Sequence, residues 1–162
     1  MIIEPLSLTS PRWRELEQVY GSAEDIGVLL AALYANEKDD ERTELWYGAW
    51  ATLVPSGKVY SAAYAAVPHV LEIAADRDFA ERVTALHFVT QVEVSRHQPA
   101  APGIDEDLLL AYASAVESLP ARVAELHGMT WDEQAAQVLA AALLAGKRQH
   151  AFARVLLEHT FE

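Results

Sequence analysis

Apolar residues recur three and four positions apart along most of this chain, and Gly, Pro or clustered charges punctuate the runs. That spacing predicts helices. Ser10-Pro11 supplies an N-cap hydroxyl and a proline at the first helical position, so a helix is expected over 11–20. It would place Trp13, Leu16 and Tyr20 on one face, with Gly21 as its stop. Ser22 with Asp25 starts a second helix, whose stripe is Ile26, Leu29, Leu30, Leu33 and Tyr34. The charged run 36–42 reads as a solvated connector. A helix over 44–53 follows, carrying Leu45, Trp46, Ala49, Trp50 and Leu53, and Pro55-Ser56-Gly57 breaks it.

Between Tyr60 and Ala75 only Ser61, His69 and Glu72 are strongly polar. A helix that is apolar nearly all round belongs in the middle of a packed structure. Pro68 inside it predicts a kink. Asp78 with Glu81 forms a cap for the next helix, with stripe residues Phe79, Val83, Leu86 and Val89 or Thr90. The run 88–94 is β-branched enough to suggest a strand, but no partner strand is evident, so it is assigned as helix. After a Pro/Gly loop over 97–103, a helix over 105–119 carries Leu108, Leu109, Tyr112, Val116 and Leu119, and Pro120 interrupts it. Thr130 and Glu133 form a capping box for a helix over 131–145, Gly146 can end that helix, and 148–158 closes the chain with Phe152, Val155 and Leu156.

Shifting the chain by 52 positions lays the central stretch on a later one. Tyr60 falls on Tyr112, Val67-Pro68 on Leu119-Pro120, Asp78 on Thr130, Phe79 on Trp131 and Glu81 on Glu133. Helical pairs repeated in this way signal a solenoid, in which neighbouring units bury each other's faces. The run 67–86 resembles a HEAT repeat: Pro68 in the first helix, Asp76 eight residues on and Arg82 fourteen residues on. The resemblance implies that Asp76 and Arg82 tie successive units together. The second copy keeps Pro120 but has Gly128 and Gln134 at the matching places. The stretch 57–74, preceded by 44–50, is also similar to a group of uncharacterised bacterial HEAT-like proteins, with Pro55-Ser56-Gly57 where that group has a His-Gln-Gly-like tripeptide.

The expected fold is therefore all-α, a short right-handed α-α superhelix of seven or eight helices. Residues 1–162 form one domain, with degenerate N-terminal hairpins over 10–54, repeat units over about 58–96 and 105–145, and a terminal helix over 148–159.

Charge and chemistry narrow the function. The chain carries 24 acidic and 12 basic side chains, a net charge of −12, which disfavours nucleic acid and favours a basic protein partner. Cysteine is absent, excluding disulfides and thiol catalysis. The N-terminus lacks a basic n-region, and no apolar run reaches the roughly 18 residues of a membrane span. A cytoplasmic protein is expected. His69 and Glu72 sit one turn apart and can share a helix face, as can Glu81 or Thr84 with His87, but no HExxH or paired Glu-x-x-His pattern occurs, and no metal or cofactor is expected. No nucleophile elbow, phosphate loop or dinucleotide fingerprint is present, so no catalytic residue is assigned.

The repeat supplies the candidate binding face. Thr84, His87 and Gln91 form a polar stripe whose counterparts Ala136, Leu139 and Leu143 are apolar. The terminal helix is expected to cover the second face and leave the first open. Tyr47 and Trp50, beside Trp46, are expected to extend it as an aromatic patch. The expected function is a non-catalytic protein-binding scaffold, in its sharper form an acidic immunity or antitoxin-type protein. The alternative is an enzyme acting on nucleic acid in the manner of HEAT-like DNA glycosylases.

Overall fold

A computed structural model describes residues 3–35 and 38–160. They form eight α-helices and a two-stranded hairpin: β1 (Glu17–Gln18), β2 (Gly21–Ser22), α1 (Ile26–Ala35), α2 (Asp39–Leu53), α3 (Ser61–Ala74), α4 (Phe79–Ser95), α5 (Glu106–Glu117), α6 (Leu119–Ala124), α7 (Glu133–Gly146) and α8 (His150–Glu158). The all-α class holds. None of the described helices is long and apolar enough to cross a membrane.

The N-terminal expectation is corrected. Ser10 does cap a helical start, its hydroxyl accepting from Arg12 N at 3.1 Å, but only a 3-10 turn over Pro11–Glu15 forms. Backbone donors beyond it are used elsewhere: Glu17 N bonds Ser61 Oγ at 2.8 Å and Val19 N bonds Thr52 O at 2.9 Å. Those contacts hold the segment extended, and Gly21 turns it back at φ +114. Trp13 and Leu16 are buried as the spacing requires, whereas Tyr20 at the turn tip is 84% exposed. Ser22 and Asp25 do not cap α1; they bond Arg14 O and the Gln18 amide instead. The α1 stripe is as read: Ile26, Leu30 and Leu33 are buried, with Leu29 and Tyr34 packed against the same core.

Helix α2 begins at Asp39, inside the stretch read as a connector; Asn36 and Glu37 of that stretch lie outside the described residues. Asp39, Asp40 and Glu41 occupy its first turn, where carboxylates are stabilised by the positive end of the helix dipole. Arg42 is not solvated. It is 4% exposed and reaches Glu81 through Nε at 2.5 Å and Nη2 at 3.1 Å, while Nη1 donates to Leu33 O. Trp46 Nε1 adds a bond to the same Glu81 oxygen at 3.0 Å.

Eleven of the fourteen residues of α3 are buried, as its composition implies, and the helix continues through Pro68. Helix α4 is capped by Asp78, which accepts from Glu81 N at 2.9 Å, and runs helically through the β-branched 88–94 stretch. The echo of this hairpin is looser. Pro120 opens the separate short helix α6 instead of lying inside a continuous one, and Ser118 between α5 and α6 turns its hydroxyl onto Ala115 O at 2.6 Å.

The cap of α7 is Asp132, accepting from Ala135 N at 2.8 Å, not Thr130. Trp131 stays outside the helix because its indole N–H is turned back onto Leu126 O at 3.0 Å. Gly146 is not the stop either. It is helical, and a Cβ there would come within 2.3 Å of Pro120 Cδ, so only glycine allows α7 this close to α6. The left-handed residue that ends α7 is Arg148, φ +62, with Arg148 N on Ala145 O and Gln149 N on Leu144 O closing a Schellman turn.

Helix α3 packs on α1, α4 and α5, while α4 packs on α3 and α7, and α8 lies against both α7 and α4. One buried apolar cluster runs from Trp13 to Ala153. Glu81→Ala would leave buried Arg42 without its carboxylate and lower the unfolding free energy by about 3–5 kcal/mol in urea denaturation. Replacing both residues by leucine should recover most of that loss, and an additive double variant would contradict the pairing.

Candidate functional site

The five predicted site residues do not form one continuous face. Thr84 is half-buried, bonds its own helix at Ala80 O, and lines a hollow of about 360 Å³ with Asp39, Trp46 and Glu81. His87 lines a different hollow of about 420 Å³ with Gln137, Leu157 and His159. Helix α8 thus borders the α4 stripe as well as α7. Gln91 donates along α4 to Ser95 Oγ at 2.9 Å. It lies beside the Pro55-Ser56-Gly57 turn, where Ser56 and Gly57 both have positive φ and Lys58 N bonds Pro55 O.

The aromatic pair divides. Trp50 is half-buried, with His87 at 4.8 Å and Phe88 at 5.5 Å between ring centroids, whereas Tyr47 is 76% exposed. Of the residues assigned to the repeat, Arg82 Nε donates to Arg77 O at 2.9 Å across its own hairpin turn, and Asp76 is exposed.

His69 is a packed core histidine. Its Nε2 bonds Leu6 O at 2.7 Å, so that nitrogen carries the proton and Nδ1 accepts from the Tyr34 hydroxyl at 2.9 Å. Burial holds the imidazole below its ordinary pKa, against the opposing pull of Leu6 O and Glu72. Among the described residues no group of three His, Asp or Glu side chains is placed to hold a metal ion.

The densest chemistry lies at the other end of α4, at residues that sequence reasoning passed over. Glu93 is 4% exposed and its carboxylate receives four donors. Arg96 takes it through Nε at 2.7 Å and Nη2 at 2.9 Å, Tyr112 OH donates at 2.7 Å, and His97 Nε2 stands at 3.2 Å. Tyr64 packs edge-on against Tyr112, centroids 5.3 Å apart, and donates to Pro102 O at 2.7 Å, which fastens the 97–103 loop. Burial, then Glu93, pushes the Tyr112 hydroxyl well above its ordinary pKa, and burial pushes Tyr64 up to about 12. Burial works against the Arg96 charge, yet Glu93 holds the guanidinium above its ordinary value. With every Glu93 lone pair engaged, this carboxylate organises its neighbours and is not poised as a general base.

A cleft of about 430 Å³ opens beside the cluster, between the end of α4, α5 and the α7–α8 turn. His97 and His150 stack at its rim, centroids 3.6 Å apart and planes 9° from parallel. Arg148 stands there as well, 3.6 Å from Glu117. The signal in the sequence was the spacing Glu93-x-x-Arg96-His97 on one helical turn, obscured by the apolar run around it.

His69, His87 and His150 are all held below their ordinary pKa, each chiefly by burial. Each therefore takes up a proton less readily in the folded chain than in the unfolded chain, which protonates first as pH falls. Stability is therefore complete above about pH 6.5 and declines below it. Urea unfolding at pH 7.5 and 5.5 should show that decline, and His69→Gln should flatten it; a rise in stability toward pH 5.5 would contradict the assignment. Comparison with protein-family models, with curated proteins and with solved structures finds no match to this chain.

Proposed function

We propose that the chain is a non-catalytic helical-repeat scaffold, HEAT-like in architecture, that binds a basic protein partner as an immunity or antitoxin-type protein does. The observation that carries this reading is the outward face of α2. Asp40, Glu44 and Tyr47 follow one another at helical spacing and all are exposed, while Trp46 on the opposite side is buried in the core. Asp40 and Glu44 have no ion-pair partner among the described residues. An exposed tyrosine beside unpaired carboxylates suits lysine and arginine, through charge and through cation–π contact.

The distribution of charge supports the same reading. At least eight of the twelve Lys and Arg side chains already face a carboxylate among the described residues. The excess acid therefore remains on the surface, where it steers a cationic partner and repels phosphate backbones. That balance also weighs against an enzyme acting on nucleic acid, which needs a basic track.

Immobilised chain, exposed to a lysate of the source organism, should retain a basic protein identified by mass spectrometry. Retention should be lost in 1 M salt, where the screening length falls to about 3 Å. It should also be lost in the triple variant Asp40→Lys, Glu44→Lys, Tyr47→Ala. An unchanged set of captured proteins from that variant, with its helicity intact, would overturn the assignment of this face.

A further inference from the structure

We infer that the cleft between the end of α4, α5 and the α7–α8 turn binds a small organic carboxylate, its head against Arg96, Arg148 and His150 and its apolar body against Leu109 and Val116. This goes beyond the scaffold reading and concerns a different surface. It starts from an anomaly of charge. In a chain of net charge −12, this cleft gathers two guanidinium groups and two imidazoles. The carboxylate beneath them, Glu93, is saturated by its own four donors. The other carboxylate of the lining, Glu117, is 63% exposed and 3.6 Å from an Arg148 that is itself 88% exposed, a pair of little strength.

The donors are prepared for a ligand. Arg96 uses Nε and Nη2 on Glu93, so its fork is held rigid while Nη1 has no partner among the described residues. A fixed guanidinium loses little freedom when it meets a carboxylate. Neither ring nitrogen of His150 has a hydrogen-bond partner among the described residues, although the ring is locked by stacking on His97. Arg148 occupies a left-handed backbone position at φ +62, where glycine is the residue of least strain. Strain of this kind gathers at functional sites.

The opposite wall decides the rest of the ligand. Leu109 is 45% exposed and lines the cleft together with Val116, so an apolar body gains burial there that a bare inorganic anion does not. A volume of about 430 Å³ lies in the range of small-molecule sites.

The stacked imidazoles add a pH dependence of definite sign. The groups facing them are Glu93 and Arg96 of α4, Tyr112 and Glu117 of α5, and Arg148 of the turn. Burial, His97 and Arg96 hold His150 down, with Glu93 opposing. A bound carboxylate adds negative charge beside His150 and favours its protonated form, so binding tightens as pH falls from 7.5 to 5.5.

The test is a titration of the full chain with acetate, octanoate, 3-phenylpropionate, 3-phenylpropionamide and inorganic phosphate, followed by amide shifts in NMR. Octanoate or 3-phenylpropionate should move the Arg96, His97, Leu109 and His150 signals, more tightly at pH 5.5 than at 7.5. The amide, acetate and phosphate should bind at least tenfold more weakly. Arg148→Gln, which leaves the Glu93 cluster whole, should weaken the carboxylate about tenfold, and Leu109→Ser should weaken it without restoring amide or phosphate binding. Absence of cleft shifts with every carboxylate, equal binding of acid and amide, or preference for phosphate would each overturn the proposal.

Discussion

The architecture turns on one constraint: α4 packs against α3, α7 and α8, so the carboxylates it shelters must be satisfied by the groups around them. It bears a sheltered carboxylate near each end. Glu81, 13% exposed at its side chain, receives Arg42, the Trp46 indole and Arg77; Glu93, 6% exposed, receives Arg96, His97 and Tyr112. Removing a carboxylate from water costs several kcal/mol, and only a full complement of donors offsets it. Those donors come from different elements. Satisfying Glu81 determines where α2 sits, and satisfying Glu93 determines where α5 sits.

Much of the fold was legible because burial and helical period coincide. The stripes of α1 and α4, the all-round burial of α3 and the break at 97–103 follow from spacing alone. What was not legible depended on contacts distant in sequence. The 11–20 stretch has a good helix start, but its backbone donors are taken by Ser61 and Thr52, more than thirty residues away. Arg42 looks like one more charge in a polar run until Glu81 is beside it. Gly146 has the identity of a helix stop and the role of a close-packing residue against Pro120.

The same division holds for function. Helical phase predicts that Tyr47 and Trp50 share a region of α2, but packing turns one outward and the other onto His87 and Phe88. The stripe Thr84, His87, Gln91 is real in sequence and is divided in space by what α2, α7 and α8 place beside it. The Glu93 cluster was hidden because a single acid in a run of Val, Thr and Phe reads as noise, although it organises the one turn where Arg and His follow at helical spacing. The excess acid lies on the surface, whereas the cleft beside Glu93 gathers arginine and histidine side chains, and the two surfaces need not serve one ligand.

Native-state amide hydrogen exchange tests the central claim most directly, because a helix packed against α3, α7 and α8 and pinned near both ends opens only when the whole domain opens. The account predicts that interior amides of α4, from Leu86 to Val92, exchange with the free energy of global unfolding and more slowly than those of α8. Exchange of those α4 amides through a cheaper local opening, at rates matching α8, would contradict it.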